Sequence, residues 1–478
     1  LPETAPGMAW VPPLYDCSKD PALIWDCTVP QDDTVSYNFA RSAKWCPDGS
    51  AVLAQCEDRT FFMPDIPAKY CASFEASAPY SATHARVFKQ QGPILDFAWY
   101  PSATRGNPAA FCFLASVREC PVKLLDANDG RLRASYRIVD HRERQIAPHS
   151  IAFNATGDKF YCGFEDAIEV FDVQRPGEGT RLHVTPSKKS KDGLKGIISA
   201  LAFSADVDSG VYAAGSLSPS APSTSNIALF SEATGEVPMM FVGAENLSHG
   251  APSGIRAGVM QLMFNPARPY LLYASFRRHE AIYAWDLRSD VSNPVHVYTR
   301  RTVDASSSMA AATNSVSTNQ KLKFDLDVTG KVLGVGDQLG NITLFGTTSD
   351  ESAAASFSVE SEARIARPIP ILKYAAHEDA IGSVSFHPLR PVLLSVSGSR
   401  HFDGSPPATH TSLSSSSDSD SDDQDYRTTE GYNPTNQKTK VVRICRKGPQ
   451  PSTHDSSAKL WNFDSRVDTS RSTIDPAS

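Results

Sequence analysis

Basic and amide side chains recur in short polar segments between strand-like runs, and their types and grouping suit the binding of a polyanion. They are Arg118, Lys188, Lys189, Arg277, Arg278, Asn319, Gln320 and Lys321. Lysines would act through phosphate groups, whereas arginines can also stack on or hydrogen-bond unpaired bases. Any one of these residues alone reads as a solvated surface charge. Their convergence on one surface would predict a binding site for phosphate groups.

Catalytic motifs are missing from the sequence. It contains no P-loop, no Gly-x-Gly-x-x-Gly, no Gly-x-Ser-x-Gly and no His-Glu-x-x-His. Its twelve histidines show no spacing typical of metal ligands. We therefore predict no enzymatic activity, no catalytic residue, no metal, no cofactor and no small-molecule substrate.

A three-strand pattern positions the basic segments, and it is clearest between residues 261 and 288. There LMF, LLYASF and AIYAWD are separated by turn residues. The third strand recurs seven times, beginning at Thr60, Pro121, Ala167, Asn226, Ala281, Asn341 and Ser457. A spacing of roughly 45–60 residues, longer only in the last repeat, matches the WD-repeat signature. The repeats predict an all-β, seven-bladed WD40 β-propeller.

The signature also assigns structural roles. The Trp-Asp pair is intact at Trp285 and Asp286, and degraded copies supply Asp172 and Trp461. His377 lies where WD repeats place a histidine that hydrogen-bonds within the blade. We expect these five residues to stabilise blades rather than to bind ligands.

The domain organisation follows from the repeats. We predict a propeller over residues 37–464, an N-terminal segment over 1–36 and a polar tail over 465–478. The last repeat lacks an outer strand, and the tail is too polar to supply one. One of two apolar N-terminal patches, VPPLYDC or ALIWDCTV, is therefore expected to close the ring, the alternative being a loose tail. Because the chain begins with Leu, we expect it to be a fragment.

Propeller topology gives the basic segments a common side. The loops from outer to inner strands share one face with the turns from second to third strands. The basic residues collect in these loops, although the 478-residue chain has a net charge of −7. We therefore expect one basic face on an acidic protein.

Cysteine usage and hydropathy indicate the kind of cellular compartment. The nine cysteines are irregularly spaced, form no Cys-x-x-Cys pair and in part lie within predicted strands. This pattern indicates a reducing compartment with neither disulfides nor a zinc site. No run of 18 apolar residues predicts a membrane span.

The repeats resemble one family in their residue sequences as well as in their spacing: the WD-repeat telomerase Cajal body proteins. The resemblance lies in residues 38–50, 113–137, 148–177, 187–204, 277–288 and 318–330. It implies a nuclear protein of the Cajal body or nucleoplasm. Its implied partners are small nuclear or Cajal-body RNA, including telomerase RNA, and ribonucleoprotein proteins whose localisation or assembly it directs. The long loops at 301–317 and 400–456 depart from the family, and fungal relatives associate with spliceosomal ribonucleoproteins.

A second function remains open from the sequence. A WD40 propeller can act as a protein–protein scaffold, for example in spliceosomal ribonucleoprotein assembly or in a ubiquitin ligase. The basic loops and the family-specific segments favour RNA binding over this alternative.

The loop at 400–456 generates a first prediction. Its Ser- and Asp-rich sequence, SSSSDSDSDDQDYRTTE, lacks apolar periodicity, so it cannot offset its ordering entropy by burial. We predict that residues 404–454 are disordered and dispensable for folding. Deletion should leave thermal unfolding unchanged, and a loss of about 1 kcal/mol or more, or several degrees, would show that the segment packs.

Overall fold

The computed structural model describes residues 11–31, 37–67, 85–185, 193–218, 226–243, 257–300, 318–347, 365–402 and 451–464. Every regular element in these ranges is a β-strand, and seven antiparallel sheets form a ring. The predicted seven-bladed propeller is confirmed. None of the described residues forms a helix long and apolar enough to cross a membrane.

Each blade follows one order from the ring axis outward: inner, second, third and outer strand. The first strand of the chain, β1 (Ala22–Thr28), precedes the blades. Blade 1 contains β2 (Ala40–Trp45), β3 (Val52–Cys56), β4 (Thr60–Met63) and β5 (Arg86–Lys89). Blade 2 contains β6 (Ile94–Trp99), β7 (Cys112–Val117), β8 (Val122–Asp126) and β9 (Leu132–Arg137). Blade 3 contains β10 (Ser150–Phe153), β11 (Lys159–Phe164), β12 (Ala167–Asp172) and β14 (Thr180–Leu182). The short β13 (Gly177–Glu178) adds to β9 in parallel.

The remaining blades repeat this arrangement. Blade 4 contains β15 (Ile198–Phe203), β16 (Val211–Ser216), β17 (Ile227–Ser231) and β18 (Met240–Val242). Blade 5 contains β19 (Val259–Phe264), β20 (Leu271–Phe276), β21 (Ala281–Asp286) and β22 (His296–Thr299). Blade 6 contains β23 (Asp325–Leu326), β24 (Val332–Gly336), β25 (Asn341–Gly346) and β26 (Pro370–Ala375). Blade 7 contains β27 (Ile381–Phe386), β28 (Val392–Ser397) and, after a pair formed by β29 (His401–Phe402) and β30 (Pro451–Ser452), β31 (Ser457–Asn462).

The N-terminal strand closes the ring, as predicted. β1 pairs antiparallel with β31 and so becomes the outer strand of blade 7. ALIWDCT is the patch that pairs, whereas Tyr15 of the other patch packs edge-on against Phe386 and Phe463. Both apolar patches thus cover blade 7, because its last strand would otherwise expose an unpaired edge.

The described ends of the 400–456 segment make regular contacts. His401 and Phe402 pair with Ser452 and Pro451. Separately, the amide of His454 donates to Asp379, at 3.3 Å. Residues 403–450 lie outside the described ranges. A deletion that tests the segment alone should therefore end at residue 450 rather than 454.

The hydrophobic core lies between blades rather than in one centre. Seven clusters of buried side chains each join two adjacent blades. Close approach requires glycine on some second strands. A Cβ at Gly215 would lie 2.6 Å from Val259 Cγ1, and one at Gly336 would lie 2.4 Å from Ile381 Cβ. These contacts keep the inner strand of one blade against the second strand of its neighbour.

A ring of side-chain hydrogen bonds ties the inner strands together. At each of the seven junctions a polar side chain of one inner strand bonds to the backbone of the adjacent blade. The bonds are Lys44 to Phe97 O, Ile151 N to Asp96, Ser150 to Ile198 O, Ser199 to Val259 O, Gln261 to Phe324, Phe386 N to Asp325 and Ala43 N to Ser383. Lengths run from 2.6 to 3.0 Å. We name this set the junction ring.

The junction ring generates a stability prediction. Gln261 donates to Phe324 O at 2.8 Å and accepts from Phe324 N at 3.0 Å, and Phe324 is buried. Gln261→Met should lower the free energy of unfolding by about 1–3 kcal/mol, because it leaves two backbone groups unpaired. Urea unfolding monitored by fluorescence measures the change. Gln174→Met, at an exposed turn position, is the control, and equal stability of both variants would show that the junction bond is dispensable.

Candidate nucleic-acid interface

The turns between second and third strands present side chains on the face where basic residues were predicted. Four of these turns contain a non-glycine residue with a left-handed backbone: Arg59, Glu119, Asp166 and Arg278, with φ of 68°, 61°, 57° and 62°. In blade 6 the same role falls to Gly340, at 83°. The tight turns leave the preceding side chains free of the strands, so that Arg118 and Arg277 are exposed. We call this side of the ring the basic face.

The blade 5 turn meets the segment that leads into blade 6. Arg278 Nε donates to Asn319 Oδ1 at 2.9 Å, across 41 residues of sequence. Gln320 Nε2 donates to Gly398 O of blade 7 at 2.8 Å. Three blades are thereby joined through residues that the sequence analysis had selected.

A cavity of about 490 Å³ opens at this meeting point, and we name it the blade 5–6 cleft. Its apolar lining includes Met260, Phe276, Leu322 and the exposed Leu339. Its polar lining is Ser275, Arg277, Arg278, His279, Glu280, Arg300, Thr318, Gln320, Asp337, Gln338 and Lys373. Four basic side chains face two acidic ones, which gives the cleft a positive balance.

Arg300 is the most buried cation of the cleft, with 8% of its surface exposed. Burial lowers its pKa to about 10, while the charges of Asp337 and Glu280 act in the opposite direction. The guanidinium therefore stays charged at neutral pH. Its Nε has no hydrogen-bond acceptor among the described residues.

Lys321 and Arg118 lie beside a second group of charges, nearer the ring axis. Burial lowers the pKa of Lys321 to about 8, and the charge of Lys323 adds to the effect. His149 of blade 3 has a pKa lowered by burial and by the charges of Lys321 and Arg118. Residues of blades 2, 3 and 6 thus share one positive region of the basic face.

At the axis itself, four charges of the inner strands meet in what we name the axial cluster: Lys44, Asp96, Lys323 and Asp325. Lys323 Nζ lies 3.6 Å from Asp96 Oδ1, although their blades are not adjacent. Lys44 Nζ donates to Phe97 O and lies 4.8 Å above the Phe97 ring. Sequence reasoning missed this cluster. Its signal was a charged residue at alternate positions of otherwise apolar inner strands.

The tryptophans at equivalent positions of blades 5 and 7 make different contacts. In blade 7, Ser395 Oγ is hydrogen-bonded to both His377 Nε2 and Trp461 Nε1, and His377 Nδ1 lies 3.0 Å from Asp455. In blade 5, Trp285 is buried with Nε1 unpartnered among the described residues. There Arg288 donates to the carboxylate of Asp286. The Cζ atom of Arg288 lies 3.4 Å from the centroid of the Tyr270 ring. Asp172 accepts the amide of Gln174 within a turn.

The structure brings part of the predicted binding set together. Arg277, Arg278, Asn319 and Gln320 surround the blade 5–6 cleft, and Arg118 and Lys321 belong to the positive region beside the axis. Lys188 and Lys189 lie outside the described residues. Three deeper cleft residues, Ser275, Arg300 and Gln338, were not among the predicted binding residues. Roles in binding remain predictions for the whole set.

The axial cluster generates a prediction of pH dependence. Burial raises the pKa of Asp325 to about 7, against the opposing hydrogen bonds from Phe386 and Leu326 and the charge of Lys44. Between pH 4 and 7 the folded state holds a proton that the unfolded state has released. Stability should therefore fall as pH rises through this window, by up to about 1 kcal/mol per pH unit.

Asp325→Asn should flatten that dependence, since an amide keeps an acceptor for Phe386 N and does not ionise. Urea midpoints at pH 5 and pH 7 measure it. Asp208→Asn, at an exposed loop position, should retain the parental dependence. An unchanged slope in the Asp325 variant would show that this carboxyl group titrates normally.

Comparison with known proteins finds similar sequences, although none of them is close to identical. No protein-family model matches the chain. Telomerase Cajal body protein 1 of Mesocricetus auratus is 28% identical over 376 residues, 77% of this chain and 59% of the relative. The Homo sapiens protein of that name is 28% identical over 369 residues, 77% of this chain and 58% of the relative. Guanine nucleotide-binding protein negative regulator 1 of Schizosaccharomyces pombe is 28% identical over 196 residues, 40% of this chain and 49% of the relative.

The chain thus spans about 60% of the length of the mammalian relatives that it matches. The match covers 77% or 81% of this chain, and proteins from several species share it. Together with the seven blades and the repeat signature, these similarities support assignment of the chain to the WD-repeat family of telomerase Cajal body proteins.

Proposed function

We propose that this chain is a non-enzymatic RNA-binding propeller. It binds small nuclear or Cajal-body RNA, or telomerase RNA, and directs localisation or assembly of ribonucleoproteins in the Cajal body or nucleoplasm. One observation carries the proposal: Arg277 and Arg278 are exposed on the blade 5 turn, and Arg278 is held by Asn319 of the neighbouring blade. One cation is thereby oriented and a second is exposed next to it, beside a concave surface.

The contacts suit single-stranded RNA. Proteins recognise RNA loops by arranging cations and hydrogen-bond donors on a rigid surface around unpaired bases. Arg278 loses little freedom on binding because Asn319 already orients its guanidinium, whereas the Arg277 side chain has no hydrogen-bond partner among the described residues. The positive region around Lys321 and Arg118 extends the surface for further phosphates.

The names of the relatives support the class of RNA that we propose. The proteins of Mesocricetus auratus and Homo sapiens are named for telomerase and for the Cajal body. Both point to ribonucleoproteins of the nucleus, and hence to ribonucleoprotein proteins as additional partners. This chain would act on the same class of RNA through the basic face.

The scaffold function is the second candidate, and an exposed edge favours it. β26 is the outer strand of blade 6, and Ile369 and Ile371 at its start are 84% and 44% exposed. An apolar edge strand is a ready template for another chain. Docking at this edge leaves the basic face open, so the two functions can be tested separately.

A charge reversal tests RNA binding. Arg277→Glu combined with Arg278→Glu should weaken binding to a hairpin RNA with an H/ACA-type loop by about tenfold or more, because two phosphate contacts become repulsive. Fluorescence anisotropy over a salt series measures the affinity and the number of phosphate contacts, and circular dichroism checks the fold. A hairpin with a scrambled loop tests whether the loop sequence is recognised. If the double variant no longer distinguishes the two RNAs in affinity, the arginines contact bases.

Arg142→Glu combined with Arg144→Glu is the matched control, since it makes the same charge change at exposed positions away from the cleft. Its effect should be smaller. Equal weakening by both variants would show that binding depends on the overall charge of the basic face and not on the positions of Arg277 and Arg278. A parent protein with no affinity above that for a simple polyanion would overturn RNA binding and leave the scaffold function.

A further inference from the structure

The blade 5–6 cleft has the volume and the apolar wall of a binding site for one small group. Its volume of about 490 Å³ lies within the range of small-molecule pockets. Met260, Phe276 and Leu322 supply an apolar wall, with Leu339 exposed at the rim. Flat aromatic groups bury well on such walls, and the cleft lies between two blades that the junction ring holds in place.

Two polar atoms deep in the cleft have no hydrogen-bond partner in the part of the chain that the structure describes. Arg300 is 8% exposed and Ser275 is 2% exposed, and neither Arg300 Nε nor Ser275 Oγ has a hydrogen-bond partner among the described residues. Buried polar groups are nearly always paired. Because an arginine can only donate, a ligand that pairs with Arg300 has to bring an acceptor to this depth. The charge retained by Arg300 strengthens such a bond.

The rim adds a requirement for negative charge. Arg277 and Lys373 are exposed, and Arg278 is fixed by Asn319 beside them. Two acidic residues, Glu280 and Asp337, also line the cleft, but the carboxylate of Asp337 is already engaged by amides of its own turn. A ligand with a planar apolar body, an oxygen acceptor and an attached phosphate meets all three requirements.

We infer that the blade 5–6 cleft seats one unpaired nucleotide of the bound RNA. Its base lies on the apolar wall, a base carbonyl oxygen accepts from Arg300 and Ser275, and its phosphate lies at Arg277. This inference rests on the proposed function and makes it specific. The other cations of the basic face then bind the flanking backbone without reading sequence.

An abasic scan of the RNA loop, combined with protein variants, tests the inference. The RNA is the same hairpin, with each loop nucleotide replaced in turn by an abasic one. For the parent protein, one position should lose about tenfold or more in affinity, the usual worth of a seated base. Restoring guanine or uracil there should bind more tightly than adenine, which has no carbonyl oxygen.

Arg300→Met removes the deep donor and Gln338→Trp fills the cleft. Each should weaken binding of the intact RNA by about tenfold. With either variant, the abasic substitution at the sensitive position should have no further effect. Gln338 is half-buried in a turn, so its replacement tests the cleft even where the Arg300 variant fails to fold. Arg144→Met is the control, whose effect should add to that of the abasic RNA.

The outcomes separate the two proposals. Additive effects of both cleft variants at every loop position would overturn the inference while RNA binding itself stands, with bases read elsewhere. Absence of RNA binding by the parent would overturn the proposed function and the cleft assignment together. A sensitive position that couples to Gln338→Trp but prefers adenine would refute the carbonyl contact.

Discussion

The junction ring is the constraint on which the rest of this structure depends. Each blade alone is a small sheet with two apolar faces, and it becomes stable only when neighbours cover both. The seven hydrophobic clusters supply that cover, but they are non-directional. Hydrogen bonds fix the height at which each inner strand meets the next. The side chains that donate or accept them are Lys44, Asp96, Ser150, Ser199, Gln261, Asp325 and Ser383. A blade that slipped along its neighbour would leave buried backbone groups unpaired.

The same requirement accounts for the axial cluster. Side chains that bridge junctions must be polar, and alternate residues of an inner strand point to the ring axis. Charged bridges from several blades therefore meet there, and Lys323 and Asp96 approach within 3.6 Å across the ring. Burial then disfavours charge, which moves the pKa of Asp325 up and that of Lys44 down. The unusual titration follows from the architecture and needs no catalytic role.

Local sequence patterns were enough to predict the repeated strands, the number of blades and closure by an N-terminal patch, because period-two apolar runs and turn residues repeat along the chain. They were not enough for the cleft. Arg278 meets Asn319 only because a left-handed turn in blade 5 faces the segment leading into blade 6. Arg300 and Ser275 carry no local mark that distinguishes a buried, unpartnered donor from a solvated one. Such information lies in contacts between blades, which depend on ring closure and not on neighbouring residues.

Ring closure and the cleft are also physically linked. Gln320, at the cleft, is anchored on Gly398 O, the residue that follows the second strand of blade 7. Gly398 has a φ of 145° and packs so closely that a Cβ there would lie 2.2 Å from Phe39 Cβ of blade 1. Blade 7 itself is completed by β1. The wall of the cleft therefore takes its position from the junction where the two ends of the ring meet. The tryptophan of the repeat cannot set this position, since Trp285 and Trp461 lie at equivalent places in their blades and make different contacts.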